Sequence, residues 1–148
     1  MVDNLSRDHR SWNMGRIKSV DTGPEMIVRS CLHQRGYRFR LHGKVSKRLH
    51  PKGVLPGKPD IVLAGYRTVI FVHGCFWHRH PGCVETTTPK TRTEWWTEKF
   101  EKNMERDRRK YLELERLGWK ILIVWGCEVE AKRLDGTMDK LEGGIQPE

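Results

Sequence analysis

The chain has 148 residues, enough for one domain with a substantial core. Lys and Arg number 28 against 19 Asp and Glu, a net charge of +9 and a pI near 9.7. No apolar run approaches the ~18 residues that a membrane span needs, and the first ten residues carry no apolar signal region. No membrane role is therefore expected, and the cytoplasm is the expected compartment. A balance this basic fits a polyanion partner, above all nucleic acid; the plainer alternative is a basic, solvated surface. The four cysteines are Cys31, Cys75, Cys83 and Cys127. In a reducing compartment a Cys/His cluster points to metal rather than to disulfides.

Residues 1–20 are polar and basic, with Trp12 and Met14 the only large apolar side chains before Ile17. They read as an arm that orders against DNA or against the body, or as a frayed terminus. Thr22-Gly23-Pro24-Glu25 starts a helix: Thr22 can cap, Pro24 suits the first turn, and Glu25 favours the positive end of the dipole. Ile27, Val28, Cys31 and Leu32 form its apolar stripe, which places Cys31 in the core, and Gly36 ends it. Tyr37–Leu41 alternates apolar and basic residues, the pattern of a half-exposed strand. Residues 42–58 form a basic loop rich in Gly, Lys and Pro.

Asp60–Leu63 and the uncharged run Val69–Val72 are strands joined so tightly that they must form an antiparallel hairpin. A Thr-rich loop, 84–93, follows. Thr91-Arg92-Thr93-Glu94 has the form of a capping box opening a long helix to Leu117, stopped by Gly118. Its apolar stripe is Trp96, Phe100, Met104, Tyr111, Leu114 and Leu117. Asp107 falls on the same stripe, with Asn103 beside it. An inward carboxylate is costly without a partner, so Asp107 is either functional or half of a structural ion pair. Trp119–Trp125 reads as another buried strand, residues 128–141 as a weak short helix, and the tail as loose. The whole is expected to be one domain, 1–148.

The chemistry concentrates at 73–83, H-G-C-F-W-H-R-H-P-G-C, where the central strand ends. Cys75, His80 and Cys83 come from one loop and Cys127 from the end of a different strand. Three thiolates and an imidazole make a closed tetrahedral zinc set, which stabilises structure and activates no water. Spacing alone leaves His78 as an alternative to His80. Asp60 opens the adjoining strand after a Pro-Gly-Lys-Pro turn. A carboxylate there can anchor Mg2+, which takes few carboxylates, several waters and phosphate oxygens, while a nearby imidazole takes a proton from water.

Five strings now carry a resemblance: P-G-K-P-D (56–60), V-I-F-V-H-G-C-F-W-H (69–78), T-R-T-E-W-W (91–96), K-N-M-E-R-D-R-R (102–109) and L-G-W-K-I-L-I-V-W-G-C (117–127). From about Ser11 to Cys127 the chain resembles the very short patch repair (Vsr) endonucleases, T:G-mismatch-specific DNA nicking enzymes. The resemblance implies an α/β fold, a restriction-endonuclease-like variant of the PD-(D/E)xK type, with a central mixed sheet flanked by helices and a structural zinc site. It implies Asp60 as the essential Mg2+-binding aspartate, with the Val72 carbonyl as second protein ligand of a metal pair. It implies His78 as catalytic histidine, His73 as its assistant, Glu25 as the helix glutamate of the site, and Asn103 and Asp107 as supporting groups. It assigns zinc to Cys75, His80, Cys83 and Cys127, and duplex wedging to Phe76, Trp77 and Trp96. The zinc loop is one residue longer than the family pattern, Val72 stands where Thr is expected, and Val72-His73 replaces the lysine of ordinary restriction enzymes.

The wedge also has a physical reading. Inserting a ring between base pairs costs a few kcal/mol of unstacking, and a mismatch is already weakly stacked. Without the resemblance, Phe76, Trp77 and Trp96 would read as core. The expected function is strand-specific nicking 5′ of the T in T:G mismatches left by 5-methylcytosine deamination, by a monomer, with mismatch-repair proteins and a DNA polymerase acting downstream. The alternatives are a restriction-type nuclease acting on paired or modified DNA, and a non-catalytic zinc-stabilised DNA-binding module.

Overall fold

The computed structural model describes residues 21–145. Trp12, Met14, the rest of the 1–20 arm and the last three residues lie outside the described residues. Helix α1 spans Gly23–Gln34 with Thr22 as N-cap, its hydroxyl accepting from the Glu25 N–H. Strands β1 (Arg40–Leu41), β2 (Ile61–Leu63), β3 (Thr68–His73) and β4 (Lys120–Trp125) form one sheet in that order. Helix α2 (Thr93–Arg116) lies between β3 and β4 in sequence, and helix α3 (Leu134–Ile145) closes the described chain.

The sheet is mixed: β1–β2 and β2–β3 pair antiparallel, β3–β4 parallel. The short β2–β3 link is the hairpin expected from its length, a 3-10 turn at Ala64–Tyr66 closed by Arg67 in the left-handed region. The parallel pair needs a crossover, which α2 supplies. Strand alternation then sorts the core into two layers. Ile61, Leu63, Ile70, Val72 and Val124 pack with Val28 and Leu32 of α1 and Met138, Leu141 and Ile145 of α3. Val62, Val69 and Phe71 pack on the other face with Leu114 of α2, Trp119, Val45 and Leu55. The result is an α/β architecture with helices on both faces of a four-stranded sheet.

Several local expectations change. Only Arg40–Leu41 of the Tyr37–Leu41 run pairs as strand. Strand β4 is not buried throughout: among the described residues it is an edge strand, and Ile123 is exposed. Thr91 and Glu94 form no capping box. Arg92 is the N-cap, in the left-handed region without a side-chain cap bond, and the Thr93 hydroxyl donates back to the Pro89 and Lys90 carbonyls. Met104 and Leu117 are exposed, as is Ile27 on α1. The inward face of α2 runs instead through Trp96, Phe100, Asn103, Asp107, Tyr111 and Leu114, all buried or half-buried at steps of three and four. The C-terminal segment is no loose tail: α3 runs to Ile145, which is fully buried. Gly144 packs closely there: a Cβ on it would stand 2.9 Å from the end of the Leu122 side chain on β4.

The 42–58 loop is also more than a basic surface. Val45 and Leu55 are buried in the α2-side core, and Lys44 bridges Val54. Gly43 holds its neck together: its φ is +76°, and a Cβ there would lie 2.8 Å from the Lys58 Cα. That contact brings the chain back to Pro59 and Asp60.

Candidate active site

Asp60 precedes β2. The hairpin register pairs Ile61 with Ile70, which puts the Asp60 carboxylate beside the far end of β3. Its Oδ2 accepts the Val72 N–H at 2.7 Å. The Asp60 pKa is pushed up to about 6; burial is the main cause, the Val72 N–H works against it, and the nearby Glu25 carboxylate adds to it. Glu25 itself is buried in the first turn of α1, where its Oε2 accepts the Asp21 N–H at 2.9 Å and pairs with Arg29 at 3.2 Å. A carboxylate crowded by a second carboxylate, beside a strand-end carbonyl, is an oxygen donor set suited to a hard divalent cation.

His73 is the last residue of β3. Alternation puts it on the same face as Phe71, under α2, and it is buried. Its Nε2 meets the Tyr111 hydroxyl. Burial first, then the charge of His78, depresses its pKa to about 3, so the ring is neutral across the physiological range. After the break at Gly74 the loop returns His78 over His73, and the two rings stack with centroids 3.8 Å apart and planes 15° off parallel. His78 Nδ1 lies 2.6 Å from Asp107 Oδ2. Burial raises the Asp107 pKa, but the hydrogen bond and charge of His78 prevail and hold it below its ordinary value. Asn103, one turn earlier on α2, donates to the Trp77 carbonyl at 3.4 Å and so ties the loop to the helix.

The ligand atoms of His73, His78 and Asp107 lie within 4.8 Å of one another, close enough to hold a metal by distance alone. The stacking argues against that use. Imidazole lone pairs lie in the ring planes, and parallel planes do not converge on one ion. The same residues do suit proton handling: Asp107 can hold the Nδ1–H of His78 and leave Nε2 for another partner.

Two residues further on, the chemistry differs. Ligand atoms of Cys75, His80, Cys83 and Cys127 also lie within 4.8 Å of one another. His80 Nδ1 is 3.5 Å from Cys127 Sγ, and the Cys127 N–H donates to Cys75 Sγ at 3.4 Å. All four cysteines are free, Cys31 packing against the core as its stripe implied. The Cys75 thiol is pushed up to about 12, by burial first and also by the adjacent Cys127 and Cys83 thiols. Thiols packed this closely resist ionising together unless a cation joins them. Three sulfurs and one imidazole nitrogen match the donor set of a closed zinc site. His80 stacks on Trp125 (centroids 4.4 Å, planes 11° apart), and the Thr86 hydroxyl donates to its carbonyl at 2.7 Å.

The aromatic residues sit between the two clusters. Phe76 and Trp77 are half-buried rather than exposed. Phe76 meets Trp77, Trp96 and Phe100 at ring-centroid distances of 5.1, 5.6 and 5.1 Å, and Trp95 lies edge-on to Trp96 at 4.8 Å. Arg79 stands 3.9 Å over the Phe100 ring and donates to the Thr87 carbonyl, binding this loop to the Thr-rich one. Sequence reasoning missed Tyr111, His42 and Arg29 as parts of the site. Tyr111 had a usable signal, four residues after Asp107 on the same helix face. The His42 N–H donates to the Asp60 carbonyl at 3.2 Å, a contact made only by the fold.

The chain has relatives among known proteins. The sequence profile of the family described as DNA mismatch endonuclease Vsr matches residues 2–84. The chain is 47% identical to the type II nicking enzyme V.XorIIP of Xanthomonas oryzae over 87% of this chain and 88% of that one. It is 44% identical to the DNA mismatch endonuclease Vsr of Escherichia coli over 89% of this chain and 78% of that one. It is 43% identical to the type II nicking enzyme V.NmeAIP of Neisseria meningitidis over 90% and 89% of the two chains. The protein is thus a DNA endonuclease, a hydrolase whose substrate is the DNA backbone. The chain belongs to the Vsr family of DNA mismatch endonucleases. No helix among the described residues is long and apolar enough to cross a membrane.

Proposed function

We propose that the protein nicks one strand of duplex DNA 5′ of the T in a T:G mismatch, by Mg2+-dependent phosphodiester hydrolysis. The observation that carries this reading is the convergence at the end of β3 of an oxygen-donor site and a histidine–carboxylate pair. Asp60 is held by the Val72 N–H, and His78 by Asp107. Mg2+ bound by Asp60 and the Val72 carbonyl, as one ion or a pair, would stabilise charge on the scissile phosphate. His78, its Nδ1–H held by Asp107, takes the proton of the attacking water at Nε2. Glu25 lies near Asp60 and adds a second carboxylate to the site. His73, neutral and stacked on His78, supports it. Asn103 steadies the loop through the Trp77 carbonyl.

In this reading zinc on Cys75, His80, Cys83 and Cys127 clamps the loop after β3 to the end of β4. Phe76, Trp77 and Trp96 form a joined aromatic block beside His78, which supports a wedge: insertion is cheapest where the stack is already weak, at a mismatch. Trp12 and Met14 would contact DNA from the 1–20 arm. We read the sheet as the restriction-endonuclease-like variant within a single domain, active as a monomer in the cytoplasm, with mismatch-repair proteins and a polymerase following the nick.

The test is one gel. End-labelled duplexes carrying T:G or T:A in varied flanks are incubated with and without Mg2+. A single nick 5′ of T, only with T:G and only with Mg2+, is the expected result. Equal cleavage of paired DNA would turn the reading to a restriction-type enzyme. No cleavage in any context, with binding retained, would leave a DNA-binding module.

A further inference from the structure

Helix α2 carries Asp107 and Tyr111 four residues apart on one face. Each meets one ring of the stacked histidine pair, and each meets a different nitrogen: Asp107 meets Nδ1 of His78, Tyr111 meets Nε2 of His73. Tyr111 has no other hydrogen-bond partner among the described residues, and Phe71 packs on its ring at 5.3 Å, fixing where the hydroxyl sits. His73 Nδ1 bonds to no described residue either. It is not fully buried either, so it reaches solvent.

We infer that Tyr111 is a positioning residue that sets the tautomer of His73: its hydroxyl donates to Nε2, so the ring carries its proton on Nδ1 and presents an N–H donor. The direction follows from chemistry. A phenol O–H is a far stronger acid than a neutral imidazole N–H, and an imidazole lone pair is a far better acceptor than a phenol oxygen. The reverse arrangement would use the poorer donor and the poorer acceptor. The paired rings then show unlike faces: His78 offers a lone pair at Nε2, while His73 offers a hydrogen at Nδ1. One ring accepts a proton, and the other donates a hydrogen bond without being charged. An anionic phosphoryl oxygen suits such a donor. This last step rests on the nuclease reading above; the tautomer does not.

The experiment uses the full, zinc-loaded chain labelled with 15N at histidine. Two-bond proton–nitrogen spectra distinguish the tautomers directly. In the unsubstituted protein His73 should be the Nδ1–H form; an Nε2–H ring there overturns the inference without any variant. Tyr111→Phe keeps the ring against Phe71 and removes only the hydroxyl. It should move His73 toward Nε2–H while the zinc-side His80 signals stay in place, which reports an intact fold. In parallel, nicking by Tyr111→Phe should lose on the order of 10²-fold in kcat, the size expected of one positioned donor, with KM nearly unchanged. An unchanged tautomer, or a loss confined to KM, overturns the role. Absence of T:G nicking by the unsubstituted protein would sink the functional reading and leave the spectra standing as the test of Tyr111.

Discussion

His78 and His80 are two residues apart on one loop, yet the fold gives them unlike chemistry. His78 turns toward α2, where Asp107 takes its Nδ1 and His73 stacks beneath it. His80 turns toward the end of β4, where Cys127 lies 3.5 Å from its Nδ1 and Trp125 stacks on it. One cluster is two stacked imidazole rings and a carboxylate, with a nitrogen left over. The other is three sulfurs and a nitrogen that close around a point. The loop between them is short, so the place taken by His80 restricts where His78 can sit. What a histidine does is therefore set by the element it faces, α2 or β4, and not by its place in the string.

The largest expected effect comes from breaking the clamp. Structural zinc contributes on the order of 10 kcal/mol in small domains, so Cys127→Ala should bind no stoichiometric zinc and melt far lower than the parent. Elemental analysis and a thermal melt measure both, and an unaltered melt would mean the four ligands hold no structural metal.

Asp60→Asn tests the reactive side and should separate activity from stability. Nicking should fall by a factor of 10³ or more if, as proposed, that carboxylate holds the cation. Stability should move the other way. The Asp60 pKa is raised in the fold to about 6. Its favourable contribution is thus present below the unfolded value near 4 and lost as pH rises through 6. Above that, burying the charged form costs up to about 3 kcal/mol. In melts without added Mg2+, Asp60→Asn should be the more stable protein at pH 8 and lose that advantage by pH 4. Equal stability at both pH values would refute the burial argument.

Asp107→Asn sharpens the comparison by unlocking His78 while leaving His80 untouched. Cleavage should drop by about 10²-fold with zinc content unchanged; a parallel loss of zinc would mean the two sides are one unit. The smallest effect is expected at Arg133, whose exposed guanidinium donates to Cys127 Sγ at 3.4 Å. Arg133→Ala should cost under about 1 kcal/mol and leave nicking intact, yet speed zinc transfer to a coloured chelator. An unchanged transfer rate would show that the guanidinium does not shield the thiolate.

Much of this was written in local pattern. The Thr22 cap, the β2–β3 hairpin, the long helix ended at Gly118 and the uncharged β3 run follow from period, punctuation and link length, which act over a few residues. The donor types at 73–83 were likewise plain. Other features depend on contacts between distant parts of the chain. Whether β4 is buried depends on having a neighbour on both sides, which no window of sequence contains; among the described residues it has one. Met104 and Asn103 are adjacent, and only the placement of α2 over β3 decides that Asn103 faces in. The helix over 128–141 reads as weak because its amphipathic pattern is weak, yet Met138, Leu141 and Ile145 are buried where the fold sets α3 against the sheet.

The sequence by itself determined which chemical groups this protein owns, which family it belongs to and roughly where its elements run. Where spacing left His78 and His80 open, the tertiary structure sets His80 against sulfur and His78 against carboxylate, and joins Tyr111 to the pair. The physical reason is the same in each case. Composition and periodicity are properties of neighbours along the chain, whereas a nitrogen's partner is chosen by whichever distant element the fold brings within bonding reach of it.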